Sequence, residues 1–178
     1  VMKLSDYVIS FFEKNGTEYI YEVPGGMVTH FLDSIYINDR VNCFTVRHEQ
    51  SAAFAAEASG KLTGRIGVAM ATSGPGATNL ITGVGSAFFD SSPTLFITGQ
   101  VNTYELRANA KGRQLGFQET DIVSLVKPIT KYAAMITDPK MILFELEKAK
   151  YIAENGRPGP VLLDVPMDVQ RVDIVESE

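Results

Sequence analysis

The sequence predicts an α/β fold: a three-layer α/β/α sandwich with a mostly parallel sheet of about six strands. Three observations predict it. Short β-rich runs alternate with longer helical stretches from end to end, the pattern of strand–helix–strand crossovers. Several strands are apolar without polar alternation, as in Val161-Leu162-Leu163, which suits strands covered on both faces. With 178 residues, 45% of them hydrophobic and 21% charged, the chain is large enough for one well-buried core.

The elements follow in order. A first helix is expected over 5–15, with Ser5 as its N-cap and Gly16 as the left-handed residue that ends it. Strands at 19–23, 42–46 and 67–72 are followed by helices at 26–38, 50–63 and 76–90. After a strand at 94–98, residues 99–118 read as irregular, and a loop of that length inside a compact domain is usually functional. A strand at 131–136, a helix at 139–155 closed by Gly156, and a strand at 161–165 complete the sheet. The domain is expected to span 1–170, with 171–178 opening a linker.

Composition excludes several functions. A net charge of -5 with scattered lysines and arginines is wrong for nucleic acid or an anionic membrane surface. No apolar run approaches the length of a transmembrane helix, and the first residues do not resemble a signal peptide, so a cytoplasmic protein is expected. Cys43 is the only cysteine, which rules out an internal disulfide and a cysteine-based zinc site. Among Val41, Phe44 and Val46 it reads as a buried structural thiol. Two histidines without close His/Asp spacing make a metal site improbable.

In a parallel α/β sheet, ligands bind at the carboxyl ends of the strands. Here those ends carry Pro24-Gly25-Gly26, Arg47-His48-Glu49-Gln50, Ser73-Gly74-Pro75-Gly76 and Gly99-Gln100. All four therefore fall on one edge of the expected sheet. Glycines there let another molecule approach closely, and helices starting after Gly26 and Gly76 offer unpaired N–H groups. Each feature also has a plainer reading: Glu49 as a favourable acid in a first helical turn, the glycines as turn punctuation, and His48 as a helix-start or core histidine. The stretch from Gly74 to Asn79 fails as a dinucleotide fingerprint, because Asn79 stands where the last glycine belongs and no ribose-binding acid follows.

With Arg47-His48-Glu49-Gln50-Ser51-Ala52-Ala53 and Thr72-Ser73-Gly74-Pro75-Gly76-Ala77-Thr78-Asn79 in view, the chain resembles the N-terminal domain of thiamine-diphosphate enzymes, and among them the acetolactate synthase group. Asp90-Ser91-Ser92-Pro93, Thr98-Gly99-Gln100-Val101, Phe117-Gln118-Glu119-Thr120-Asp121 and Arg157-Pro158-Gly159-Pro160-Val161 carry the likeness along nearly the whole chain. The resemblance implies that Glu49 is catalytic, hydrogen-bonding N1′ of the aminopyrimidine so that the 4′-nitrogen removes the thiazolium proton. That role asks for a water-poor pocket, for which Val46 and Ala52 are suitable neighbours. It also implies that Pro24, Gly25, Gly26, Gly76 and Asn79 bind the cofactor, while Phe117 and Gln118 meet a 2-keto acid such as pyruvate. The Ala- and Gly-rich helices at 50–60 and 76–86 serve either subunit packing or plain helix-on-sheet packing.

Two departures stand out. Val23 precedes Pro-Gly-Gly where relatives carry an aromatic residue, and residues 102–116 are longer than the family's usual loop. The second leaves the acyl acceptor open. The family holds the diphosphate and Mg2+ through a second domain marked by Gly-Asp-Gly, which this chain does not contain. The resemblance therefore implies part of a longer enzyme, or a subunit of a split 2-keto acid decarboxylase. Either assembles as a homodimer or homotetramer, or with a diphosphate-binding partner subunit; FAD, if used, is held largely elsewhere. The alternatives from other classes are a nucleotide-binding module and a regulatory subunit that keeps the fold without the chemistry.

Overall fold

A computed structural model describes residues 1–107 and 112–175. In chain order the elements are β1 (Met2–Lys3), α1 (Leu4–Lys14), β2 (Tyr19–Glu22), α2 (Thr29–Tyr36), β3 (Asn42–Thr45), α3 (Glu49–Thr63), β4 (Gly67–Ala71), α4 (Pro75–Asn79), α5 (Ile81–Phe89) and β5 (Thr94–Gln100). They continue with α6 (Ile122–Val126), β6 (Tyr132–Met135), α7 (Ile142–Glu154), β7 (Pro160–Pro166), α8 (Met167–Gln170) and β8 (Asp173–Ile174). Six strands form one parallel sheet in the order β3-β2-β4-β5-β7-β6. The expected sandwich and strand count are therefore present.

The sheet separates two cores of different character. On one face Phe11, Phe12, Phe31 and Leu146, from α1, α2 and α7, cover Ile20, Met70, Ile97 and Leu163. On the other, Ala52, Ala53 and Ala56 of α3 join Leu80, Val84, Ile122 and Val126 over Ala69, Ala71, Phe96 and Leu162. Successive strand residues point to opposite faces, so Val68 and Met70 enter one core while Ala69 and Ala71 enter the other. Every residue of β4, β5 and β7 is buried, which accounts for apolar stretches such as Leu95-Phe96-Ile97 and Val161-Leu162-Leu163 that lack polar alternation. Each large side chain so buried contributes roughly 1.5–3 kcal/mol. Ala52, Ala53, Ala56 and Gly60 of α3 are buried within the chain and press the helix onto β4 and α5, while Ser51 and Ala58 are exposed; a methyl at Gly83 would lie 2.2 Å from Ala53 Cβ.

Several local expectations change. Ser5 does not cap α1: the helix begins one residue earlier, with Leu4 N donating to Val172 O, and Ser5 is fully buried beside Ser34 Oγ at 2.8 Å. The cause is tertiary, because the chain enters α1 from β1, which pairs antiparallel with β8. That pairing places Asp173 and Ile174 of the expected linker against the domain's first residues. Cys43 is exposed rather than buried, because β3 is the sheet's edge strand and all four of its residues are exposed. The helix expected from 26 opens as a 3-10 turn at Gly26–Val28, and the one expected over 76–90 divides at Leu80 into α4 and α5. The irregular stretch keeps β5 as far as Gln100 and a 3-10 turn at Thr103–Glu105; residues 108–111 lie outside the described residues. Gly16 and Gly156 have φ of 77° and 68°, as their places after helices require.

Candidate active site

Two of the four singled-out strand ends meet at Thr72, immediately after β4, and a third adjoins them at Gly76. Met27 N donates to Thr72 Oγ1 at 3.2 Å, which ties the turn after β2 to β4. A Cβ on Gly25 would lie 2.4 Å from Thr72 Cβ, so the turn fits only because the side chain is missing. A Cβ on Gly76, in the first turn of α4, would lie 2.8 Å from Thr72 Cγ2 and 3.4 Å from Glu49 Oε1. The glycine thus keeps open the space beside the Glu49 carboxylate. Thr72 is the member that sequence reasoning passed over, since a threonine at a strand end looks like an ordinary β-former.

Glu49 is the first residue of α3, whose N-cap is His48: its Nδ1 accepts from Gln50 N at 3.1 Å. The helix-start reading of that histidine is the observed one. Asn79, the last residue of α4, donates from Nδ2 to Glu49 Oε2 at 2.9 Å. Among the described residues Glu49 Oε1 has no hydrogen-bond partner. One carboxylate oxygen is therefore anchored and the other faces the gap left by Gly76. Val46 is half-buried, Ala52 fully buried and Glu49 itself half-buried, so this chain supplies only part of a water-poor pocket. The hydroxyl of Ser73, the residue after Thr72, is buried without a partner among the described residues.

The loop carrying Phe117 and Gln118 reaches the same place. Gln118 has φ of 62°, in the left-handed region that costs a non-glycine residue about 1 kcal/mol or more. Opposite it stands Gly74, with φ of 65°, where a Cβ would lie 2.6 Å from Gln118 Cβ. Gln118 is thus pressed against the segment leading into Pro75-Gly76. Phe117 is 72% exposed, so apolar burial does not hold this loop. Polar contacts do: Glu119 accepts from Arg107 N and from Leu115 N, both at 2.7 Å, and closes the loop across its base.

Gly25 and Gly76 therefore meet Thr72 directly, Glu49 and Asn79 join them beside Gly76, and Gln118 adjoins the same segment at Gly74. Gly26 begins the next turn with nothing within 4 Å of a Cβ built on it. Pro24 instead lines a cavity of about 360 Å3 between α2 and the edge strand, together with Glu22 and Thr45. Glu22 is 1% exposed; Thr45 Oγ1 donates to its Oε1, Oε2 has no partner among the described residues, and burial raises its pKa. Among the described residues no group of three or more His, Cys, Asp or Glu is placed to hold a metal, and no helix is long and apolar enough to cross a membrane.

The family model for "Thiamine pyrophosphate enzyme, N-terminal TPP binding domain" matches residues 2–125. The chain belongs to this family. Thiamine pyrophosphate is another name for thiamine diphosphate, so the resemblance stated from the motifs and this match agree. Among curated relatives, the chain is 42% identical to the acetolactate synthase large subunit of Corynebacterium glutamicum over 94% of its own length and 26% of the relative's. It is 43% identical to the probable acetolactate synthase large subunit of Methanocaldococcus jannaschii, over 97% of this chain and 28% of the relative. The large subunit from Lactococcus lactis is 39% identical over 97% of this chain and 29% of the relative. The thiamine pyrophosphate-binding domain described here thus spans little more than a quarter of the length of the curated relatives it matches.

Proposed function

We propose that this domain supplies the aminopyrimidine half of a thiamine-diphosphate site in an acetolactate-synthase-like enzyme, which decarboxylates pyruvate or another 2-keto acid and passes the acyl unit to an acceptor. The observation that carries the reading is the Glu49 carboxylate: Oε2 fixed by Asn79, Oε1 open, and Gly76 leaving the space beside it. A group meant only to favour a helix start has no need of that anchor or that clearance.

The residues fit the cofactor. Glu49 Oε1 is the atom at which this chain takes or releases a proton on the aminopyrimidine. Asn79 fixes the rotation of the carboxylate, and Gly25, Gly26 and Gly76 give the ring its room. Phe117 and Gln118 border the keto acid. When bound, the cofactor supplies the electron sink for the carbon that loses carbon dioxide. The diphosphate and Mg2+ belong to a domain outside this chain, and closure of the half-buried Glu49 from water belongs to a neighbouring subunit of a homodimer or homotetramer. FAD, where bound, also belongs to other domains, and the enzyme works in the cytoplasm.

The experiment is Glu49→Gln in the full-length enzyme, with keto acid consumption followed at saturating thiamine diphosphate. Loss of proton transfer at Oε1 lowers turnover by about 100-fold or more. Near-normal turnover removes Glu49 from the mechanism.

A further inference from the structure

Two loops must hold their shape for this site to exist, and neither is held by apolar burial. The Phe117 loop leaves its aromatic ring exposed, and the Gly25–Met27 turn is mostly glycine and backbone. Both are tethered by side chains from one short stretch, the end of β7 and the helical turn α8.

Asp164 is completely buried in β7. Its Oδ1 accepts from Thr98 Oγ1 at 2.7 Å and its Oδ2 from Gln100 Nε2 at 2.9 Å. The same Gln100 nitrogen donates to Thr120 O at 2.7 Å, and Thr120 Oγ1 donates onward to Gln118 O at 3.3 Å. Gln100 Oε1 accepts from Val101 N at 3.0 Å, so the amide cannot rotate without losing a partner. Asp168 holds the far limb of the same loop, accepting from Thr103 N at 2.9 Å and from Thr103 Oγ1 at 2.6 Å. Six residues after Asp164, the fully buried Gln170 donates from Nε2 to Met27 O at 2.7 Å and to Val165 O at 2.9 Å.

We infer that residues 164–170 are the positioning device of the active site, with Asp164 acting through Gln100 on the Gln118 loop and Gln170 acting directly on the Met27 turn. The two tethers are separate, so they govern separate properties: Asp164 the keto acid, Gln170 the cofactor. A buried partner left unsatisfied costs about 1–3 kcal/mol, or roughly 5- to 150-fold in the constant that depends on it. The inference rests on the function proposed above.

The test uses the full-length enzyme carrying Asp164→Ala, Asp164→Asn, Gln100→Met or Gln170→Leu. Three quantities are measured: KM for pyruvate, the dissociation constant for thiamine diphosphate, and amide hydrogen exchange of peptides covering 113–121 and 24–29. Asp164→Ala and Gln100→Met are expected to raise KM roughly tenfold, to speed exchange at 113–121, and to leave cofactor affinity within about twofold. Asp164→Asn restores all three, because its amide oxygen still accepts from Gln100 while its NH2 donates to Thr98. Gln170→Leu does the reverse, weakening the cofactor and loosening 24–29 only. Parallel changes in both constants and both peptides, or no rescue by asparagine, overturn the inference. Gln100→Met leaves Asp164 its Thr98 partner and carries the test if Asp164→Ala does not accumulate. A wild-type enzyme with no thiamine-diphosphate-dependent turnover removes the proposed function instead, and the exchange pattern alone then decides the tethers.

Discussion

Asp164 makes stability depend on pH in a direction opposite to that of a salt-bridged acid. Complete burial raises its pKa from 3.8 to about 7, the bonds from Thr98 and Gln100 pull the other way, and the charge of Asp121 adds to the rise. Between those values the folded chain holds a proton that the unfolded chain has released. Stability from this group is therefore fully present below about pH 4 and is lost as pH climbs through 7. At about 1.4 kcal/mol per tenfold change, the span from 3.8 to about 7 corresponds to about 4 kcal/mol. Asparagine at 164 is neutral throughout and keeps the bond from Gln100, so the difference in stability between Asp164→Asn and wild type isolates the term. Urea unfolding of the isolated domain at intervals from pH 4 to pH 8 measures it. The variant should gain on the wild type by about 4 kcal/mol across that range. A difference that stays flat, or one that runs the other way, refutes the buried-acid reasoning.

Other outcomes follow from the same geometry. Gly76→Ala forces Thr72 aside and crowds Glu49 Oε1, so thiamine diphosphate affinity of the full-length enzyme, measured by titration, should fall roughly tenfold or more while the fold persists. Within α5, Gly83→Ala collides with Ala53 and should lower the unfolding midpoint, whereas at Gly85 the nearest atom to a new Cβ is 4.0 Å away and alanine should add about 0.5–1 kcal/mol. Gln118→Gly relieves a positive φ and should stabilise the domain by about 1 kcal/mol while raising KM for the keto acid. Thr45→Val takes from Glu22 its one described donor and should cost about 1–3 kcal/mol, the loss growing as rising pH ionises the buried acid, whose pKa burial raises.

Much of this fold is legible in the sequence because the central strands are buried on both faces. Runs such as Gly67–Ala71 and Pro160–Pro166 have no solvent side to advertise, and glycine-rich exits such as Ser73-Gly74-Pro75-Gly76 and Pro24-Gly25-Gly26 mark the sheet edge where the site lies. The failures have tertiary causes. Ser5 looks like a cap because nothing local announces that β1 will pair with a strand some 170 residues later. Cys43 looks buried because an edge strand and a central strand share the same apolar alphabet. At five residues, α6 is too short for a helical period to register. Asp164 had a visible signal, an acid inside the apolar run Val161-Leu162-Leu163-Asp164-Val165, which is a local inconsistency of the kind functional positions produce. Thr72 had none, since what makes it a hub is the pair of glycines that lean on it, Gly25 from the turn after β2 and Gly76 from the start of α4.

The β1–β8 pair gives the domain a history as well as a shape. Met2 and Lys3 leave the ribosome long before their partners Ile174 and Asp173. Helix α1 waits too, since Leu4 N is bonded to Val172 O and Phe12 lies in the same core as Leu146 of α7. Helix α2 reaches α1 early, but Val172 and the tethers from Asp164, Asp168 and Gln170 come only after the rest of this sheet has been made. A chain interrupted shortly before residue 164 would keep the Glu49–Asn79 pair and much of its core, yet leave the Gln118 loop and the Met27 turn without the tethers that fix them.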